Sequence, residues 1–435
     1  MSFVIRSQGV RFSLINYIGV LIGAMSILFV YPLDLKLYGL YGFLTNTASL
    51  LAPLVSLGFG AVLLRFFPYY RNESQQTNSR FILFLIKGYA LGIILFVFLF
   101  ILFKEHIARL FNENDNYLQH YIYYLIPLTV LYIIYEFISH FSVTHKNIVL
   151  PSILSNLFKI ILPILFIICI HNYLSTNGFL ICIFIYYLLI IFILLKVLSR
   201  KENINFSLEK IPLPKNRKKE MWTYALYSII SGTSAVMALR IDSLMIASQI
   251  GSEATGLFSI ALFMSNATFI PALSLQEILS PFVSQSSKTD DKVILQSLYS
   301  KSVRNMLIPT LWASMCLYLS FGSISSLFPN AEKIILIKTG LGLLLLSRIV
   351  DAATGINHHI LSFSKYYKIE IYLLIGLAAL NIGLNFLFIK PYGIAGAALA
   401  TFISVSLFNI IKSLYIFLKL KLQPFDWRTI RIIVC

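Results

Sequence analysis

Charged residues are scarce in this chain. They make up 12% of the 435 residues, whereas 58% are hydrophobic, and the mean hydropathy is +0.81. Apolar stretches of about 18 residues or more recur from one end to the other, a pattern typical of membrane-spanning helices. A soluble globular protein is excluded, because the chain has too little polar surface to cover so much continuous core.

Sequence motifs for disulfide, metal and nucleotide sites are also missing. The four cysteines have no metal-ligand spacing, and the sequence contains neither HExxH nor GxxxxGK[ST], so no disulfide framework, zinc site or ATP-hydrolysing loop is predicted. The first apolar run is too long for a removable signal peptide and lacks a small-residue cleavage site. No external segment is long enough to house a catalytic site. We therefore expect no enzyme and no cofactor, with H+ or Na+ coupling as the one open possibility.

The hydrophobic pattern predicts an all-α polytopic membrane protein of about 12 transmembrane helices. Each run covers the roughly 20 residues needed to cross a bilayer, and none alternates with the period of two that barrel strands require. The predicted spans are 12–33, 39–67, 81–103, 117–139, 148–170, 174–198, 222–250, 255–284, 302–328, 334–362, 369–389 and 394–418.

Basic residues are unevenly distributed between the predicted loops. With the N-terminus in the cytoplasm, about twenty Lys and Arg residues fall on the inside and six at or near the outside, namely Lys36, Lys104, Arg109, Lys333, Lys338 and Lys390. This asymmetry predicts a multi-pass protein with a cytoplasmic N-terminus. It also explains the net charge of +17 by membrane orientation, so no nucleic-acid partner is predicted.

The domain prediction rests on one basic loop. Residues 200–220 contain Pro212, Pro214 and the cluster Lys215–Lys219, and are interpreted as a solvated cytoplasmic linker beside anionic lipid headgroups. The linker separates two six-helix bundles, 1–199 and 221–435. The bundles resemble each other, since Gly39-Leu-Tyr opens one span and Gly256-Leu-Phe another. Parallel repeats of this kind predict a substrate site near the membrane midplane and alternating access.

Deep cations are the predicted substrate-binding residues. Lys159, Arg240 and Arg348 lie far from the predicted span ends, where a charge should face protein or a water-filled cavity. Arg65 is a fourth predicted substrate-binding residue, at the inner mouth of a cavity. For Arg65 and four others, snorkelling to the headgroups is the competing interpretation; the others are Lys87, Lys196, Arg304 and Lys412.

Four carboxylates are predicted as coupling or ion-pair residues: Asp242, Asp351, Glu277 and Glu136. Intramembrane acids mark proton and cation relays, but each could equally form a structural salt bridge. Arg348 and Asp351 are three residues apart and could neutralise each other. Arg240 and Asp242 are two apart, so they should face different surroundings.

Several motifs together resemble a known family. They are Arg240-Ile-Asp-Ser-Leu-Met-Ile246, Gly256-Leu-Phe-Ser-Ile-Ala261, Leu380-Asn-Ile-Gly-Leu-Asn385 and Pro391-Tyr-Gly-Ile-Ala-Gly396, with Leu64-Arg-Phe-Phe-Pro68 in the first half. In order and position they resemble the oligosaccharide-lipid flippases of the multidrug/oligosaccharidyl-lipid/polysaccharide exporter superfamily. The resemblance covers nearly the whole chain.

This resemblance implies a V-shaped pair of six-helix bundles around a central cationic cavity. It implies transfer of a polyprenyl-diphosphate-linked oligosaccharide across the bacterial inner membrane for O-antigen or capsule synthesis, with other polysaccharide-assembly proteins as candidate partners. Many members have fourteen spans, whereas Thr429–Cys435 reads as the opening of a thirteenth, so we expect a truncated sequence.

Three alternatives stay open at this point. A cation-coupled multidrug exporter of the same superfamily is expected to use buried carboxylates with few buried cations. A lipid II flippase would share the architecture. A membrane-embedded glycosyltransferase or polymerase would share the composition, but it should carry a substantial catalytic loop.

Overall fold

Sixteen α-helices make up most of the part of the chain that the structure describes, and no strand occurs there. This computed structural model describes residues 18–71, 75–109, 116–145, 149–201, 215–289 and 291–425. In chain order the helices are α1 (Ile18–Leu33), α2 (Leu35–Val55), α3 (Phe59–Arg71), α4 (Gln75–Leu102), α5 (Lys104–Arg109), α6 (Asn116–Tyr121), α7 (Leu125–Thr144), α8 (Val149–Ile170), α9 (Thr176–Lys201), α10 (Lys215–Gln249), α11 (Ser252–Lys288), α12 (Lys292–Ser325), α13 (Ala331–Ile334), α14 (Lys338–Ala353), α15 (Asn357–Phe363) and α16 (Tyr367–Leu420).

Many of these helices are long and apolar enough to cross a membrane. Within the described ranges seven qualify, or eight if the bent pair α2 and α3 counts as one span; the seven are Arg80–Leu102, Tyr117–Thr144, Val149–Ile170, Thr176–Ser199, Ser252–Ser287, Lys292–Ser325 and Lys368–Leu420. The predicted all-α polytopic membrane fold is therefore confirmed. The number of twelve spans stays a prediction, because α1, α10 and the pair α14 and α15 are shorter or more polar.

The longest helix contains a backbone turn. α16 has 54 residues, and Gly393 within it has φ 58° and ψ −133°, which is not helical. A straight helix of that length would extend about 80 Å, far beyond the hydrocarbon core of about 30 Å. α16 thus consists of two helical halves that meet at Gly393, where the sequence predicted the turn between spans 369–389 and 394–418.

The predicted span 39–67 is broken rather than continuous. α2 and α3 meet at an angle of 62°, because Leu57 and Gly58 both adopt positive φ values, 49° and 70°. The Gly58 amide donates a 3.2 Å hydrogen bond to the carbonyl of Pro53, which closes α2. Pro53 follows Gly39 by fourteen residues, and Pro271 follows Gly256 by fifteen in the second half, yet Pro271 lies inside an uninterrupted α11. The break is thus a feature of the first half.

We expect Gly58→Ala to destabilise the protein. A Cβ atom at this position would lie 2.2 Å from the carbonyl oxygen of Ala225 on α10, and the left-handed backbone alone costs a residue other than glycine about 1–2 kcal/mol. Thermal unfolding in detergent should therefore show a loss of about 2 kcal/mol or more. Gly23→Ala on α1 is the control, since nothing lies within 4 Å of its added Cβ; equal stability of the two variants would contradict the prediction.

Contacts divide the chain into two compact units, Met1–Val236 and Met237–Cys435. The division lies inside α10, whereas the sequence placed it in the linker 200–220, of which residues 202–214 lie outside the described ranges. In the first unit α2, α3 and α9 each pack on α7, and in the second α11, α12 and α16 each pack on α14.

Aromatic and branched side chains fill both units. Tyr70 stacks on Phe81 in the first unit, with ring centroids 4.5 Å apart, and the fully buried Phe59 and Phe67 extend this core. Tyr299 is fully buried in the second core. Each unit therefore has its own packed interior on which polar side chains can be positioned.

Candidate functional site

A buried carboxylate lies near the C-terminal end of α10, in the second unit. Asp242 is only 4% exposed. Asn385 Nδ2 donates a 2.5 Å hydrogen bond to Asp242 Oδ1, and Thr401 Oγ1 donates one of 2.8 Å to Asp242 Oδ2. Asn385 also donates to Oδ1 of Asn381. Asn385 and Thr401 lie on either side of Gly393, so the turn in α16 brings both halves of that helix to the same carboxylate.

No cationic side chain of the described ranges forms an ion pair with Asp242. Within the same ranges the buried Asn385 Oδ1 accepts no hydrogen bond and the buried Asn381 Nδ2 donates none. Burial of an unpaired carboxylate in a low-dielectric interior costs roughly several kcal/mol of free energy, unless the group takes up a proton or a cation. Carboxylate, amide and hydroxyl oxygens are the ligands that hard cations prefer. The Asp242 cluster therefore has the chemistry to bind H+ or a small cation.

Arg240, two residues before Asp242, is exposed. The two charges thus have different surroundings, as expected from their spacing on one helix. A guanidinium is unfavourable against hydrocarbon, so Arg240 requires water, protein or an anion nearby. Arg240 can therefore serve as an anion contact.

Arg348 and Asp351 form a second polar cluster. Arg348 Nη1 lies 3.5 Å from Asp351 Oδ2, so the two predicted residues are paired on one face of α14. Asn409 Nδ2 donates a 3.1 Å hydrogen bond to the other oxygen of Asp351, and Asn357 Nδ2 donates one of 3.0 Å to Asn409 Oδ1. This pairing partly neutralises Arg348 and favours a structural role for it over ligand contact.

A third cluster was missed by the sequence analysis. Lys412 is 3% exposed, and its Nζ lies 3.4 Å from Glu370 Oε1. His358 Nδ1 lies 2.9 Å from the same oxygen. Snorkelling is therefore the wrong interpretation for Lys412, because its ammonium group is buried against a carboxylate. No local signal could have shown this, since Lys412 and Glu370 are 42 residues apart and lie on different halves of α16.

The remaining predicted residues lie outside these three clusters. Lys159 is half-buried on α8, and a Cβ at Gly19 of α1 would lie 3.2 Å from its Nζ. Glu136 is half-buried on α7, whereas Glu277 is exposed on α11. Among the described residues no acidic side chain pairs with Lys159 and no basic one pairs with Glu136. Lys159 is thus a cation on an apolar helix that no described acidic side chain compensates.

Arg65 is exposed at the middle of α3. Its guanidinium lies over the ring of Tyr224, 4.3 Å from the centroid, and borders a groove of about 760 Å³ in the first unit.

Comparison with known proteins agrees with this architecture. Residues 12–287 match the family described as polysaccharide biosynthesis protein. An uncharacterized membrane protein of Methanocaldococcus jannaschii is 27% identical over 203 residues, 45% of this chain and 45% of that protein. The match therefore spans less than half the length of this relative.

Two solved structures share the fold. The inward-facing form of a multidrug resistance MATE family transporter of the MOP superfamily aligns with a TM-score of 0.72, 14% identity and 94% coverage of both chains. The lipid II flippase MurJ, in an inward closed conformation, aligns with a TM-score of 0.68 and 17% identity over 95% of this chain and 88% of that one. Both are transport proteins, and at these identities the likeness concerns the fold alone. Because the family match covers well over half of its length, this chain belongs to the polysaccharide biosynthesis protein family, with the fold of MOP-superfamily transporters.

Proposed function

We propose that this protein moves a polyprenyl-diphosphate-linked oligosaccharide from the inner to the outer leaflet of a bacterial inner membrane. Family membership supports a role in polysaccharide biosynthesis, and the shared fold supports transport by alternating access. Surface polysaccharide such as O-antigen or capsule is the proposed end product. The proposal includes a cytoplasmic N-terminus, as the excess of basic residues in the predicted inner loops requires.

The observation that carries the proposal is the positive charge of Lys159 on the apolar helix α8. Lys159 is half-buried and has no acidic partner among the described residues, and Arg240 adds an exposed cation on α10. Such charges are costly against lipid and mark ion or substrate pathways. A lipid diphosphate offers the matching anion, with oxygens that accept charge-assisted hydrogen bonds from arginine and lysine. We assign Lys159 and Arg240 each as a contact that the diphosphate makes during its passage; the substrate-binding roles of Arg348 and Arg65 stay predictions.

The Asp242 cluster is the proposed coupling site. Uptake of H+ or Na+ at this buried carboxylate would change the charge where α10 meets both halves of α16. Because a ligand shifts a conformational equilibrium only through its different affinity for the two states, a cation that binds one state more tightly would drive the transporter. Asp351, Glu277 and Glu136 were the other predicted coupling residues, and none of them has an equally buried site.

The headgroup contacts can be tested by complementation. In a flippase-null strain that expresses each variant normally, we expect Lys159→Ala and Arg240→Ala to lower surface polysaccharide about ten- to hundred-fold, because each removes a charged hydrogen-bond donor. Lys301→Ala, which removes an exposed cation of α12, should support full polysaccharide. Full polysaccharide from both test variants would contradict the proposal, and raised drug resistance in their place would favour multidrug export.

A further inference from the structure

A groove of about 760 Å³ lies within the first unit, between α3 and the first four turns of α10. α3 contributes Arg65 and Phe66 to its wall, and α10 contributes the other lining residues: Asn216, Lys219, Glu220, Thr223, Tyr224, Leu226, Tyr227 and Ile230. The groove is separate from the Asp242, Arg348 and Lys412 clusters, which all lie in the second unit.

One end of this groove is cationic. The Arg65 guanidinium is held over the Tyr224 ring by a cation–π contact, which leaves its N–H donors available. Lys219 is exposed five residues before Tyr224. In the described part of the chain neither cation forms an ion pair. Glu220 is the one acid of the lining, so the three ionised side chains carry a formal charge of +1.

The other end of the groove is apolar. Leu226, Tyr227 and Ile230 are 58%, 43% and 52% exposed, and their spacing of three and four residues places them on one face of α10. Lys219 and Ile230 are eleven residues apart, which corresponds to about 16 Å along the helix. The groove therefore has a cationic end and an adjoining apolar surface. Together these complement an amphiphile that has an anionic head and a hydrocarbon chain.

We infer that this groove binds an anionic phospholipid of the cytoplasmic leaflet. The phosphodiester lies between Arg65 and Lys219, and one acyl chain lies along Leu226, Tyr227 and Ile230. The charge of the lining favours this occupant, because a phosphodiester carries one negative charge and matches the formal +1, whereas a diphosphate carries more. Basic pockets between helices on the cytoplasmic side recognise such headgroups by the same physics. Lipid bound here would hold the start of α10 against α3.

The test uses the purified full chain in phosphatidylcholine nanodiscs titrated with phosphatidylglycerol, with bound lipid counted by native mass spectrometry. We expect the unmodified protein to retain phosphatidylglycerol selectively. The Arg65→Gln/Lys219→Gln variant should bind it about thirty-fold more weakly, the loss expected of two headgroup cations. Glu220→Gln removes the repelling acid and should bind it about five-fold more tightly. A tighter-binding variant cannot result from misfolding.

Controls separate this site from general electrostatic attraction. The Lys301→Gln/Lys419→Gln variant loses the same charge from exposed positions outside the groove and should bind phosphatidylglycerol normally. The inference is overturned if Arg65→Gln/Lys219→Gln binds as tightly as the unmodified protein, or if the control variant is weakened equally. It is also overturned if a polyprenyl diphosphate at equal concentration displaces phosphatidylglycerol, because the groove would then belong to the lipid diphosphate.

Discussion

Asp242→Asn should abolish the response of the protein to its coupling cation. The substitution keeps the shape of the side chain but removes the one charge of the cluster formed with Asn381, Asn385 and Thr401. A charge pair about 4 Å apart contributes about 4 kcal/mol at an effective dielectric constant of 20, so cation affinity should fall on the order of a thousand-fold. Because the variant no longer binds the cation, transport driven by that cation should stop.

The measurement is thermal stability of the purified protein under two titrations. One raises Na+ at constant ionic strength and alkaline pH, and the other lowers pH in the absence of Na+. A cation that binds the folded state raises its stability by mass action, so the unmodified protein should respond in one of the two titrations. Asp242→Asn should respond in neither, whereas Glu332→Gln, which removes an exposed acid of α13, should behave normally. A full response from Asp242→Asn would remove Asp242 as the coupling site.

Lys412→Met should strongly destabilise the second unit. The substitution leaves the carboxylate of Glu370, which is 5% exposed, without its ammonium partner. Breaking a buried ion pair in this way costs about 3–5 kcal/mol, because the remaining charge stays desolvated. His358, on the more exposed side of the pair, can offset part of that cost only when protonated.

The double variant Glu370→Gln/Lys412→Met separates the pair from its packing. Replacement of a whole buried pair by neutral side chains is often neutral in stability, so the double variant should recover most of what Lys412→Met loses. Thermal unfolding in detergent measures all three proteins, with Lys419→Met as the matched substitution at an exposed position of α16. Additive losses in the double variant would show that the Lys412–Glu370 contact contributes little.

One of the two breaks between helices was predictable from the sequence, and the other was not. The turn at Pro391–Gly393 was predictable, because glycine reaches the positive φ that such a turn needs. The break between α2 and α3 was not, since Leu57 also adopts a positive φ, which a leucine adopts only when its surroundings require it. The contact of Gly58 with Ala225 is one such long-range constraint.

In the candidate site, contacts between residues close in sequence were predictable, whereas contacts between distant residues were not. The spacing of Arg348 and Asp351 suggested their pairing, because residues three or four apart meet on one face of any helix, and Asn381 and Asn385 have the same kind of spacing. Which carboxylate the amides face was beyond that rule. Asp242 and Asn385 are 143 residues apart, and Asp242 and Thr401 are 159 apart.

Membrane class, helical fold and family resemblance were thus available from the amino-acid order, because a bilayer imposes one demand on every span: apolar side chains around an internally bonded backbone. The partners of the polar side chains were not. A buried charge is stabilised by whichever groups packing brings within about 3–4 Å, and those groups come from distant positions. Only the tertiary structure places Asp242 beside amide side chains, Lys412 in a buried pair with Glu370, and the Arg65 guanidinium over the ring of Tyr224.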